Sequence, residues 1–294
     1  MRSRAARIDA VWGVAMAAPA VLGVTVLGLV PFGFVIWYSL HDWAPLAGRF
    51  TWVGGANFVR LLNDDVMWGS LLTTLQFTGM LVVINIGLAL VLALLLNQRF
   101  RGAVAFRAFF FSPVVVSSVA WVLIWSYLVA ANGGINGVLA TWGIEGPNWL
   151  RDPQWALLTV VVIQVFKGVG MNMVLFLAAL QGVPAELKEA ARVDGASPAR
   201  SLVSITLPMI TPTILMVIMI TTIGSLDVFV PIQVLTQGGP GRSTTVISYL
   251  LYQTAFLQQR FGYASAIGVI LFLVSLLFAA LQWGSRKRWV HDEV

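Results

Sequence analysis

Glu189-Ala190-Ala191-Arg192-Val193-Asp194-Gly195-Ala196-Ser197, followed by Ile205-Thr206-Leu207-Pro208, is a polar island between two long apolar runs. A bilayer core takes roughly 20 apolar residues per helix. The runs at 155–180 and 207–235 both meet that length, so the island is a loop at a membrane surface. It covers about residues 181–206, far more than a reversal needs, and spends them on charge, small residues and two prolines. It reads as a docking element. Pro184 suits the start of a helix, where its missing N–H costs nothing. Ala185–Val193 then holds good helix formers, with Glu186 near the positive end of the dipole. Leu187, Ala190, Ala191 and Asp194 share one face by their spacing, and that face is small and flat enough to enter a groove. Gly195 stands where a helix ends in the left-handed conformation, and Ser197-Pro198 is a cap and first-turn pair for a second helix. An ordinary two-helix connector has the same periodicity.

The rest of the chain reads as membrane. It is 59% hydrophobic and 10% charged, against about 25% charged in soluble domains. Six apolar runs are expected, at 11–40, 68–96, 106–130, 155–180, 207–235 and 261–283. The fold class is all-α: a polytopic membrane protein of six transmembrane helices in one domain, 1–294, with the loop at about 181–206 inside it. The first run follows Arg2, Arg4 and Arg7 and exceeds the ~7–15 residues of a signal-peptide core, so it reads as an uncleaved anchor. No cysteine is present, which removes disulfides and thiolate chemistry. His41 and His291 lie in polar flanks, so neither is expected in a core or a metal site.

Lys and Arg set the orientation. With the N-terminus inside, Arg2, Arg4, Arg7, Arg99, Arg101, Arg107, Lys188, Arg192, Arg200, Arg286, Lys287 and Arg288 are cytoplasmic, twelve in all. Arg49, Arg60, Arg151, Arg242 and Arg260, five in all, are outside. Positive charge resists translocation, so both termini and the island are expected in the cytoplasm. The outer connections at 41–67 and 131–154 carry turn chemistry and interfacial tryptophans, and an amphipathic stretch at 244–258 precedes the last run.

Gln76, Asn85, Gln164, Lys167, Asn172, Asp227 and Gln233 are the polar residues inside the runs. A charge at mid-membrane costs about 2.5–3.5 kcal/mol on insertion scales, so Lys167 and Asp227 each need a partner or a wet cavity. Gln164, Lys167 and Gly168 share one helical face, as do Gly168 and Asn172. Gln164, Lys167, Asn172 and Asp227 are therefore candidates to line a pathway for a hydroxyl-rich solute. A structural Lys167–Asp227 ion pair, or Lys167 snorkelling to an interface, are the bland readings. No catalytic set stands out, no metal cluster is expected, and no G-x-x-x-x-G-K-[ST] occurs; Lys167-Gly168-Val169-Gly170 lacks that spacing.

Glu189-Ala190-Ala191, Gly195 and Ile205-Thr206-Leu207-Pro208 together resemble the EAA loop of permease subunits in binding-protein-dependent ATP-binding-cassette (ABC) importers. Asn57-Phe58 after Val53-Gly54, and Asp227 followed by Leu235-Thr236-Gln237-Gly238-Gly239-Pro240, are similar to segments of the carbohydrate-importing branch, which includes maltose and glycerol-3-phosphate permeases. Leu226 departs from that branch's usual aromatic residue. The resemblance implies the type I importer fold and a cytoplasmic membrane of bacteria or archaea. It implies a carbohydrate or polyol as solute, a second homologous permease, two ATPase subunits and an extracytoplasmic solute-binding protein. ATP and magnesium would then sit on the ATPase subunits, this chain would bind no cofactor and no nucleic acid, and it would not itself be an enzyme. Glu189, Ala190, Ala191, Asp194 and Gly195 would couple it to an ATPase. An ion-coupled secondary transporter or channel is the competing class, and a lipid-modifying enzyme a third that lacks a catalytic constellation.

Overall fold

The computed structural model describes residues 4–98 and 101–289, with side chains within 11–98 and 101–286. Arg2, Arg99 and His291 lie outside the described residues, as do the side chains of Arg4, Arg7, Lys287 and Arg288. In chain order the elements are α1 (Arg4–Val24), α2 (Val30–Ser39), β1 (His41–Ala44), β2 (Arg49–Trp52), α3 (Ala56–Leu62), α4 (Asp65–Leu96), α5 (Ala103–Val115) and α6 (Ser118–Leu128). They continue with α7 (Gly134–Thr141), α8 (Pro153–Gly182), α9 (Ala185–Val193), α10 (Pro198–Ser201), α11 (Leu207–Met209), α12 (Thr211–Leu226), α13 (Ile247–Tyr252) and α14 (Phe261–Trp289).

Val11–Ser39, Asp65–Leu96, Pro153–Gly182 and Phe261–Arg286 are long and apolar enough to cross a membrane. Among the described residues two bent pairs make up to six spans if each pair counts once: α5 with α6, bent by 104°, and Pro198–Met209 with α12, bent by 64°. The sequence suggests a single run at 106–130, and the chain instead breaks it. Pro113 cannot donate to the Phe109 carbonyl, which accepts from Ser112 Oγ at 2.8 Å. Val116 is then extended, and Ser117 caps α6 by accepting from the Ala120 N–H at 3.3 Å. The expected run at 207–235 is also shorter, bending at Ile210 and ending at Leu226. Wide π-type turns at Thr25–Leu29 and Leu202–Thr206 precede Pro31 and Pro208, where the ring excludes the ordinary carbonyl four residues back.

The chain forms two compact units. One holds the residues up to Asp64 together with Leu251–Ile270. In it β1 and β2 form an antiparallel hairpin with His41 opposite Trp52, where turn chemistry alone suggests loop. His41 is 5% exposed, which corrects the expectation of a solvated flank. Its ring stacks on Phe50 at 4.6 Å and its Nδ1 lies 2.8 Å from the Trp37 carbonyl, so an aromatic cluster covers it. Tyr263 donates to Asp64 at 2.6 Å, and Arg60 and Arg260 lie over its ring at 4.9 and 5.1 Å.

The other unit holds Asp65–Leu250 and the residues from Leu271 on. Its core is built where α4, α8 and α12 meet, from Ala89, Ala93, Met173, Phe176, Leu180 and Val217 among others. Small alanines on α4 let α8 approach, and dispersion between close-packed side chains holds helices together where lipid removes the hydrophobic driving force. Gly170 marks a close approach of α8 to α5: a Cβ there would overlap the Phe110 carbonyl.

Candidate functional site

The polar side chains of α4, α8 and α12 converge on a cavity of about 300 Å³. Gln164, Lys167, Gly168 and Asn172 line it from α8, Asn85 from α4, and Thr221 and Ser225 from α12. Asn172 Nδ2 donates to Asn85 Oδ1 at 2.6 Å and to Thr221 Oγ1 at 3.1 Å. Asn85 Nδ2 in turn donates to the Val165 carbonyl at 3.3 Å. The amides thus orient one another and leave few rotamers open. Gln164 Oε1 is buried with no hydrogen-bond partner, an acceptor left for a donor that enters the cavity.

Lys167 is at the midpoint of α8, and its ammonium is spent on backbone. It donates to the Val116 carbonyl at 2.6 Å and the Pro113 carbonyl at 3.2 Å where α5 breaks before α6; the Pro113 oxygen also accepts the Val116 N–H at 3.3 Å. A cation at a helix C-terminus also meets the negative end of the dipole. The Trp121 ring lies 6.0 Å away, held by its own Nε1–H bond to the Ile163 carbonyl at 3.1 Å. Among the described residues Lys167 and Asp227 form no ion pair.

Three of the four pathway candidates therefore share one cavity, and Asp227 does not. It is exposed, at the residue where α12 ends, outside the lining. Thr221 and Ser225 complete the lining and do not stand out in the sequence. Hydroxyls at 221, 222 and 225, repeating on one face of an apolar helix, are the signal that could have found them. Gln76 is exposed, and Gln233 Oε1 is buried without a partner away from this cavity.

The polar island folds as a short helix, a glycine turn and a second helical segment. The Ala196 N–H donates to the Ala191 carbonyl at 2.8 Å and the Gly195 N–H to the Arg192 carbonyl at 3.0 Å, the paired bonds of a Schellman end. They require the φ of +77° that Gly195 adopts. Ser197 Oγ accepts from the Arg200 N–H at 3.3 Å with Pro198 at the first position of α10. The expected flat face is divided. Ala191 is 8% exposed and faces its own protein, whereas Leu187, Ala190 and Asp194 are exposed. At 100° per residue Val193 lies opposite the inward side of α9 marked by Lys188 and Ala191, and it is 88% exposed.

These features define a polytopic α-helical membrane protein with a polar cavity among its spans and a structured polar loop outside them. The family model of binding-protein-dependent transport system inner membrane components matches residues 85–289. The chain is 36% identical over 267 residues to the diacetylchitobiose uptake system permease protein NgcF of Streptomyces coelicolor, covering 86% of this chain and 76% of the relative. It is 34% identical over 274 residues to the trehalose/maltose transport system permease protein MalF of Thermococcus litoralis, covering 92% of each. In fold it matches a chain in the crystal structure of a bacterial alginate ABC transporter in complex with an alginate pentasaccharide-bound periplasmic protein. That match has a TM-score of 0.84 at 24% identity and covers 98% of both chains. The chain belongs to the family of binding-protein-dependent transport system inner membrane components.

Proposed function

We propose that this chain is a permease subunit of an ABC importer for an oligosaccharide or related polyol. It pairs with a second permease, receives solute from an extracytoplasmic binding protein, and is driven by two ATPase subunits that hold the ATP and magnesium. The observation that carries this reading is α9, a capped helix that stands outside the apolar core with Val193 almost wholly exposed. An aliphatic side chain on a charged loop is covered neither by lipid nor by its own fold, and a partner groove supplies the cover. Glu189, Ala190, Asp194 and Gly195 flank it on the docking side, and Ala191 holds the helix to its own protein. The relatives named for saccharides, and the hydroxyl and amide lining of the cavity, support a hydroxyl-rich solute. Gln164 and Asn172 contact that solute, with Lys167 holding the wall beside them. The excess of basic residues on one side of the spans supports a cytoplasmic loop and cytoplasmic termini.

The test is reconstitution with the products of neighbouring genes in vesicles. Loaded binding protein outside and ATP inside should give uptake and stimulated hydrolysis. Val193→Glu should lose the stimulation while the two permeases remain assembled. Uptake driven by an ion gradient without ATP would replace this reading with secondary transport.

A further inference from the structure

A second cleft, of about 770 Å³, opens where the ends of α4 and α8 meet the start of α5. Among the described residues its lining includes Asn97, Gln98, Arg101, Val104, Arg107 and Gln181, and no acidic residue. Arg107 donates to the Leu96 carbonyl at 2.6 Å, which anchors its guanidinium at the end of α4. Its Nε is buried and has no hydrogen-bond partner. Among the described residues neither Arg101 nor Arg107 forms an ion pair. The cleft also meets the start of α5, a 13-residue helix that begins on Gly102 with no side-chain cap. Its first N–H groups therefore lack a side-chain acceptor, and the dipole adds positive potential there. Two guanidiniums, an uncapped helix start and three carboxamides make a receptor for a phosphate-type anion.

We infer that this cleft binds the headgroup of an anionic phospholipid. The place selects lipid over a soluble anion. The cleft lies at the ends of two apolar spans, where headgroups sit, and basic pockets between spans hold such headgroups electrostatically. Leu95 on the last turn of α4, and Val104 and Phe106 on the first turns of α5, are exposed apolar side chains beside the cations. They give an acyl chain a wall to follow, which inorganic phosphate or an acidic side chain does not need.

The experiment uses the chain purified with its co-expressed partner subunits in phosphatidylcholine nanodiscs. Phosphatidylglycerol is titrated in, and bound lipid is counted by native mass spectrometry. Wild type should retain phosphatidylglycerol in preference to phosphatidylcholine. Arg101→Gln, which is exposed and outside any helix, should weaken retention without disturbing assembly. Arg101→Gln with Arg107→Gln should weaken it by about thirtyfold at low salt, and Arg107→Lys should keep most of it. Retention unchanged in Arg101→Gln and in the double variant overturns the inference. Displacement by inorganic phosphate beyond a chloride control of equal ionic strength would give the cleft to a soluble anion instead. Loss of the ATPase subunits with lipid retention intact would give it to an acidic side chain of that partner.

Discussion

Replacing Lys167 with methionine sets two large effects against each other. The ammonium makes two charge-assisted bonds, at 2.6 Å to Val116 and 3.2 Å to Pro113. Each bond to a charged group is worth about 1.5–3 kcal/mol, so their loss costs about 3–6 kcal/mol. Removing a charge from the middle of a span returns about 2.5–3.5 kcal/mol on insertion scales. The difference favours lysine by about 1.5 kcal/mol, because methionine leaves the Val116 carbonyl without its donor and the Pro113 carbonyl with only the Val116 N–H. Lys167→Met should therefore lower thermal stability by a few degrees in detergent. Lys167→Gln should fall between, since its shorter amide can keep one neutral bond. The same series separates capping from solute contact. If the ammonium served the solute, Gln and Met would impair transport alike and leave stability unchanged. The assay is thermal unfolding of the purified complex beside uptake in vesicles. Wild-type stability in Lys167→Met would refute the capping argument.

Gly195→Ala should cost about 1–2 kcal/mol through its left-handed backbone alone, because a Cβ there meets nothing within 4 Å in the chain itself. Gly195→Asn tolerates that backbone better, so any larger loss of binding-protein-stimulated ATPase activity in Gly195→Asn measures contact with a partner. Gly170→Ala should destabilise by about 3 kcal/mol in a denaturation assay through overlap with the Phe110 carbonyl. Gly87→Ala on α4, which meets nothing within 4 Å, should be close to neutral. The chain has no cysteine, so single cysteines report topology directly. One at Gly241 should react with an impermeant thiol reagent added outside, and one at Ser285 should be protected.

The sequence by itself determined the features that follow from local physics. Apolar length located the runs that become α4, α8 and α14. Helix propensity and the Pro184, Gly195 and Ser197-Pro198 signals located α9 and its turn, because caps and left-handed glycines act within a few residues. The face of α8 that carries Gln164, Lys167 and Asn172 was legible from its period. What lay across from that face was not. Asn85 and Asn172 are 87 residues apart, and Asn172 and Thr221 are 49 apart, so only helix packing brings them together. Lys167 pairs with main-chain carbonyls, and a carbonyl has no residue type to recognise. Asp227, the other charge in an apolar run, is exposed and falls outside the cavity, while its neighbours Ser225 and Val228 line it. Tertiary structure also divided the small face of α9, turning Ala191 inward and Val193 outward. Spacing places residues on a helix, but only the packing of its neighbours decides which side of that helix is covered.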